Sequence, residues 1–128
     1  MARKEYFVLP QMADRPFSSA VRAGDFIFAS GTSGTVDTQG KPVESLEAQT
    51  RQCLENLKKE LELAGASLSD VIKVQVFLAK AEGWAKMNEV YKEFFPVDRP
   101  ARTAVVTGLI RTDMLVEMEC IAYIASDT

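Results

Sequence analysis

The sequence predicts an α+β fold: a mixed β-sheet with two helices packed on one face. Three observations carry that reading. Short apolar runs broken by turn residues open the chain, two later stretches switch to a helical period, and alternating runs separate and follow them. At 128 residues, 47% hydrophobic and 26% charged, the chain reads as one ordinary globular domain over residues 1–128. A domain of this size buries a real core but has little volume left for a deep pocket of its own, and a site between subunits would relieve that shortage.

The elements follow in order. Three short strands are expected at Tyr6 to Leu9, Ala20 to Arg22 and Phe26 to Ala29, with Gly24-Asp25 as a tight turn. Ser30-Gly31-Thr32-Ser33-Gly34 reads as a Gly-rich loop ending the third, and Asp37-Thr38-Gln39-Gly40 as a further turn. Gly34 to Lys41 lacks the spacing and hydroxyl of a phosphate loop. From Glu44 to Ala64 the period is helical, with Leu46, Cys53, Leu54, Leu57 and Leu61 on one face. Glu44 and Glu47 suit its N-terminus, and Gly65 is placed to end it in a left-handed conformation. Ile72, Val74, Val76 and Leu78 alternate as a strand with one buried face. A second helix spans Gly83 to Phe95, with Trp84, Met87, Tyr91 and Phe94 or Phe95 as a core stripe and Pro96 as its stop. Strands at Arg102 to Thr107 and Met114 to Ala125 close the chain. No third helix is available for the second sheet face, so burying it around a threefold axis is an economical answer.

Composition removes several classes of function. The net charge is −3 and the pI about 5.0, with basic residues scattered among acids, which argues against a nucleic-acid partner. No apolar stretch has the length of a signal peptide or membrane span, so the cytoplasm is the expected compartment and no membrane partner is expected. Two cysteines, Cys53 and Cys120, read as core rather than as a disulfide framework. Histidine is absent, which excludes Ser-His-Asp and Cys-His machinery, the usual zinc sites and imidazole acid–base work. Any chemistry must use carboxylates, Arg, Lys, hydroxyls, backbone groups and water.

The last two strands carry the strongest local signal. If Gly108 to Asp113 is a hairpin turn, Arg102 pairs with residues near 117 to 119. Arg102 and Ala104 then share a face, and Glu117 and Glu119 are brought beside the guanidinium. An Arg fork grips a carboxylate through two charge-assisted bonds, and a nearby carboxylate holds or deprotonates water. On spacing alone the stronger reading is the blander one, a solvated cross-strand ion pair of small value. Glu119 in particular reads as an interface or solvent carboxylate. Ser30 fits a strand-end hydrogen bonder as well as a ligand contact, and Asn88 fits a satisfied amide or interface group as well as a pocket residue.

Longer motifs tip that balance. Pro100-Ala101-Arg102-Thr103-Ala104-Val105, followed by Val116-Glu117-Met118-Glu119-Cys120-Ile121-Ala122, resembles the C-terminal signature of the YjgF-type reactive intermediate deaminase (Rid) family, also labelled L-PSP endoribonuclease-like. The run from Ala64 to Val74 is similar to that family's helix-to-strand junction, and Gly24 to Gly31 to its third strand. The resemblance implies a chorismate-mutase-like fold, a homotrimer around a central barrel with active sites between subunits, and hydrolysis of enamine and imine acids to 2-keto acids and ammonia (a 2-iminobutanoate/2-iminopropanoate deaminase activity). It implies Arg102 as the carboxylate clamp and Glu117 as the group that readies water. Phe17, Ser30, Gly31, Asn88 and Ala104 would line the pocket, with no metal and no cofactor. The chain departs from the family pattern at Phe17, where Tyr is usual, and at Ala104, where Cys is usual. Both bear on the substrate, and the missing hydroxyl at Phe17 keeps a second reading open, a binding module for small carboxylates or 2-keto acids. Ribonuclease activity, also attached to such relatives, is disfavoured by the acidic pI and absent His.

Overall fold

The alternating apolar runs form β1 (Lys4–Phe7), β2 (Ala20–Ala23), β3 (Phe26–Ser33), β4 (Val71–Leu78), β5 (Ala101–Val106) and β6 (Val116–Tyr123), and the helical stretches form α1 (Leu46–Leu63) and α2 (Trp84–Phe94). The computed structural model describes residues 3–125; residues 1–2 and 126–128 of the expected 1–128 domain lie outside the described residues. The strands pair in the order β1-β2-β3-β6-β4-β5. Neighbours are antiparallel except β4 and β5, which run parallel. A mixed sheet with two helices is therefore present, as expected.

Each helix exists for legible reasons. The Ser45 hydroxyl caps α1 by accepting from the Ala48 N–H at 3.1 Å, an end signal one residue past the expected start at Glu44. Gly65, at φ +90°, closes the helix in the left-handed conformation expected of it. Cys53, Leu54, Leu57 and Leu61 are fully buried against the sheet, each leucine contributing about 1.5–3 kcal/mol. Gly34 lets α1 sit close, because a Cβ there would collide with the Gln49 carbonyl and the Cys53 N–H. Gln49 is buried yet fully engaged: its amide donates to the carbonyls of Val43 and Asp113, and its oxygen accepts from the Leu115 N–H. One side chain thus fastens α1 to the segment leading into β6.

The expected closing hairpin does not form. Parallel neighbours require a crossover, and α2 supplies it between β4 and β5. α1 carries the chain from β3 to β4, leaving a slot that β6 fills, antiparallel to both. Arg102 is level with Val74, and Val74 with Cys120, so a whole strand separates Arg102 from β6. The segment 107–115 is a crossing loop rather than a tight turn; Leu115 accepts from the Ala79 N–H at 3.0 Å as it enters β6.

Smaller departures have similar local causes. β1 ends at Phe7 because the Leu9 N–H turns to the Ser19 hydroxyl, 3.0 Å, before the short 3-10 turn Pro10–Met12. Ile72 is exposed, since a register shift between Val71 and Lys73 gives the buried position to Val71. Ser30 to Ser33, expected as loop, continue β3 through a bulge between Ala29 and Thr32. Gly34 to Lys41 is a turn held by the Asp37 carboxylate, which accepts from the N–H groups of Gln39 and Lys41.

The two sheet faces differ. Val74, Val76, Leu78, Val116, Met118, Cys120 and Ala122 lie buried beneath the helices. The opposite face carries Phe26, Phe28, Val105 and Tyr123, each more than two-fifths exposed, with Phe26 and Tyr123 in ring contact at 5.3 Å. Glu117 and Glu119 alternate with the buried residues of β6 and stand on this open face.

Candidate functional site

The bulge in β3 builds the first half of the site. Bulges re-aim side chains, and this one turns Ser30 toward the preceding segment, where its hydroxyl donates to the Ser18 carbonyl at 2.6 Å. The Ser30 N–H donates to Ser19 at 3.0 Å, so two bonds fix the stretch that carries Phe17. At Gly31 a Cβ would collide with the Glu117 carboxylate, so the glycine is what permits that carboxylate to lie against the strand. Burial raises the Glu117 carboxyl above the usual carboxylate range, and the like charge of Glu119 adds to the shift. These groups line a cavity of about 610 Å³ together with Met12, Arg15, Ile110, Arg111 and Met114. Arg111 is fixed there by Asp113 at 3.0 Å and by the Thr35 hydroxyl at 2.8 Å.

The second half lies on the helix-covered side, at the sheet's edge. Arg102, from β5, donates through Nη1 to Asn88 Oδ1 of α2 at 2.7 Å. Its guanidinium carbon stands 4.7 Å from the Tyr91 ring centroid and 5.1 Å from that of Trp84. Two aromatic faces and one amide oxygen therefore hold the guanidinium, with its other N–H donors not bonded to any described residue. Burial pushes the Tyr91 phenol up to about 12, against the pull of Arg102, and its hydroxyl has no hydrogen-bond partner among the described residues. Ala104, two residues along β5, packs against the core.

The seven candidate residues thus fall into two groups. Phe17, Ser30, Gly31 and Glu117 line one cavity; Arg102, Asn88 and Ala104 do not line it. The expectation that Arg102 and Glu117 converge within one chain is corrected: β4 intervenes, and their side chains leave opposite faces. Trp84, read as core, is half exposed and serves as a wall for Arg102. Arg15, Ile110 and Arg111 went unread, because no periodicity marks residues in irregular segments. Cys53 and Cys120 are buried free thiols whose pKa values burial raises, to about 12 for Cys120, so both stay protonated and unreactive. Among the described residues no group of three or more His, Cys, Asp and Glu side chains is assembled to hold a metal ion. None of the described helices is long and apolar enough to cross a membrane.

Comparison with known proteins places this geometry. Residues 10–124 match the family model described as Endoribonuclease L-PSP. A RutC family protein of Pyrococcus horikoshii is 48% identical over 109 residues, covering 84% of this chain and 86% of its own. Reactive Intermediate Deaminase A of Arabidopsis thaliana, a chloroplast protein, is 37% identical over 108 residues, covering 84% of this chain and 58% of its own. Among solved structures, E. coli TdcF with bound serine superimposes with a TM-score of 0.85 at 31% identity, over 94% of this chain and all of that one.

Proposed function

The chain belongs to the L-PSP endoribonuclease (YjgF) family, which includes reactive intermediate deaminases, and from that premise we propose that it hydrolyses enamine and imine acids such as 2-aminoacrylate and 2-aminocrotonate. One observation carries the reading: the Arg102 clamp and the Glu117 cavity are two half-sites on opposite sheet faces. Neither half suffices alone, so a working site takes Arg102 from one copy and Glu117 from the next. The open apolar face around Phe28 and Tyr123 supplies a surface for such an assembly, a homotrimer closing its sheets into a barrel.

The chemistry suits so spare a site. The Arg102 guanidinium grips the substrate carboxylate, while Asn88 and the two rings hold it in place. An enamine first tautomerises to the imine, its N–H proton moving through water to C3. Water held by Glu117 then adds to the electrophilic C2 of the imine and passes its proton through the carboxylate to nitrogen. The tetrahedral adduct then collapses, releasing ammonia and leaving the 2-keto acid. Positioning does most of the work, no metal or cofactor takes part, and the cytoplasm is the proposed setting. RNA cleavage is disfavoured by the net charge of −3 and the absence of His. A binding-only reading has one observation in its favour, Phe17, whose ring offers no hydroxyl to the cavity.

Coupling the protein to a PLP-dependent threonine dehydratase tests the proposal. Wild type accelerates 2-keto acid release, and Arg102→Ala loses about 100-fold in kcat/KM through the missing charge-assisted bonds. No acceleration, or equal acceleration by Arg102→Ala, defeats the deaminase reading; saturable 2-ketobutyrate binding without turnover establishes the binding-only one.

A further inference from the structure

Six of the seven arginines hold an oxygen of the chain itself, in a carboxylate, a carbonyl or an amide. Arg15 is the exception: among the described residues its guanidinium has no hydrogen-bond or ion-pair partner. It lies on the wall of the 610 Å³ cavity, two positions before Phe17. Its backbone is anchored there, the N–H donating to the Met12 carbonyl at 3.0 Å, and the following Pro16 restricts its conformation further. The cavity's other arginine, Arg111, is already matched by Asp113. Arg15 therefore brings an unpaired guanidinium to the half-site that also holds Glu117.

We propose that Arg15 is a specificity residue that receives a second, distal carboxylate, so that the site prefers dicarboxylic 2-imino acids and their 2-keto products. The proposal rests on the deaminase reading above, in which Arg102 of a neighbouring copy takes the α-carboxylate. A dianionic substrate then meets one guanidinium at each end, and its C2 lies between them, within reach of water on Glu117. The cavity volume lies in the range of small-molecule sites and exceeds what a monocarboxylic acid of three or four carbons fills.

The test generates 2-iminoglutarate and 2-iminobutanoate in situ with amino-acid oxidases of matching specificity and follows ammonia release. Wild type prefers the dicarboxylic imine at least about tenfold in kcat/KM, and Arg15→Ala erases that preference, mainly through KM. An equal loss on both substrates, or a wild type without the preference, overturns the proposal. If neither imine is turned over, the deaminase reading has failed, and calorimetry judges Arg15 on its own: 2-oxoglutarate binds about tenfold tighter than 2-oxobutyrate to wild type and equally to Arg15→Ala. Equal or absent binding to wild type overturns the assignment.

Discussion

Two carboxyls on opposite sides of the same sheet have been handled differently. Glu117 stands on the open face, half-buried against Gly31, with Glu119 nearby and a cavity before it. Glu60, on α1, is 2% exposed on the covered side; its Oε1 has no hydrogen-bond partner among the described residues. Burial raises both, and pushes Glu60 up to about 8. The difference lies in what each proton can reach. Glu117 exchanges with the cavity and can work on a substrate; Glu60 meets only the core, so its proton is linked to folding.

The largest effect expected from that contrast is on stability. Folded Glu60 binds its proton more tightly than the unfolded chain does, so the fold is favoured below the ordinary carboxylate value and loses stability as pH rises toward 8. The slope is about 1.4 kcal/mol per pH unit, for a total of about 4 kcal/mol between pH 5 and 8. Its electrostatic neighbours Cys53 and Cys120 are thiols that stay neutral there, and the chain has no His to titrate in that window. Glu60→Leu should flatten the profile, giving its greatest gain at alkaline pH. Urea unfolding at pH 5 and 8 measures this, and parallel profiles for the two proteins would discard the buried-acid account.

Next in size is the matching change on the open face. Glu117→Gln keeps the shape against Gly31 but cannot accept a proton, and a drop of about 100-fold in kcat is expected. In the proposed mechanism the working form is the carboxylate, so wild-type activity should rise with pH through an acid limb displaced above the usual carboxylate range. The variant should lack that limb while its unfolding midpoint stays near wild type. Retention of both rate and limb by Glu117→Gln would remove the residue from the mechanism.

How far these regions could be read in sequence follows from where their information lies. α1 was legible because Leu54, Leu57 and Leu61 repeat at the helical period and Gly65 marks its end. The burial of Cys120 was legible from strand alternation. The path of β6 was not, since alternation fixes which residues share a face without naming the neighbouring strand; the β4-α2-β5 order was the available clue to a parallel return. The candidate residues fall into two groups on opposite faces, and that division depends on the strand order. Glu60 was hidden for another reason: a charged residue beside Lys58 and Lys59 looks solvated until the helix is docked.

The smallest predicted effect probes the other half-site. Asn88 accepts from Arg102, so in the proposed mechanism it fixes the direction of the fork rather than touching the bond that breaks. Asn88→Ala leaves the guanidinium against Trp84 and Tyr91 but free to swing, and an increase of about tenfold in KM with little change in kcat is expected. Asn88→Asp separates position from charge. It restores an oxygen at the same place and holds Arg102 more firmly, yet its negative charge competes with the substrate carboxylate. If Asn88 only fills space, Asn88→Asp, which keeps its volume, should match wild type while Asn88→Ala does not; if it orients the clamp, Asn88→Asp should raise KM more than Asn88→Ala, and added salt, by screening the repulsion, should narrow the gap.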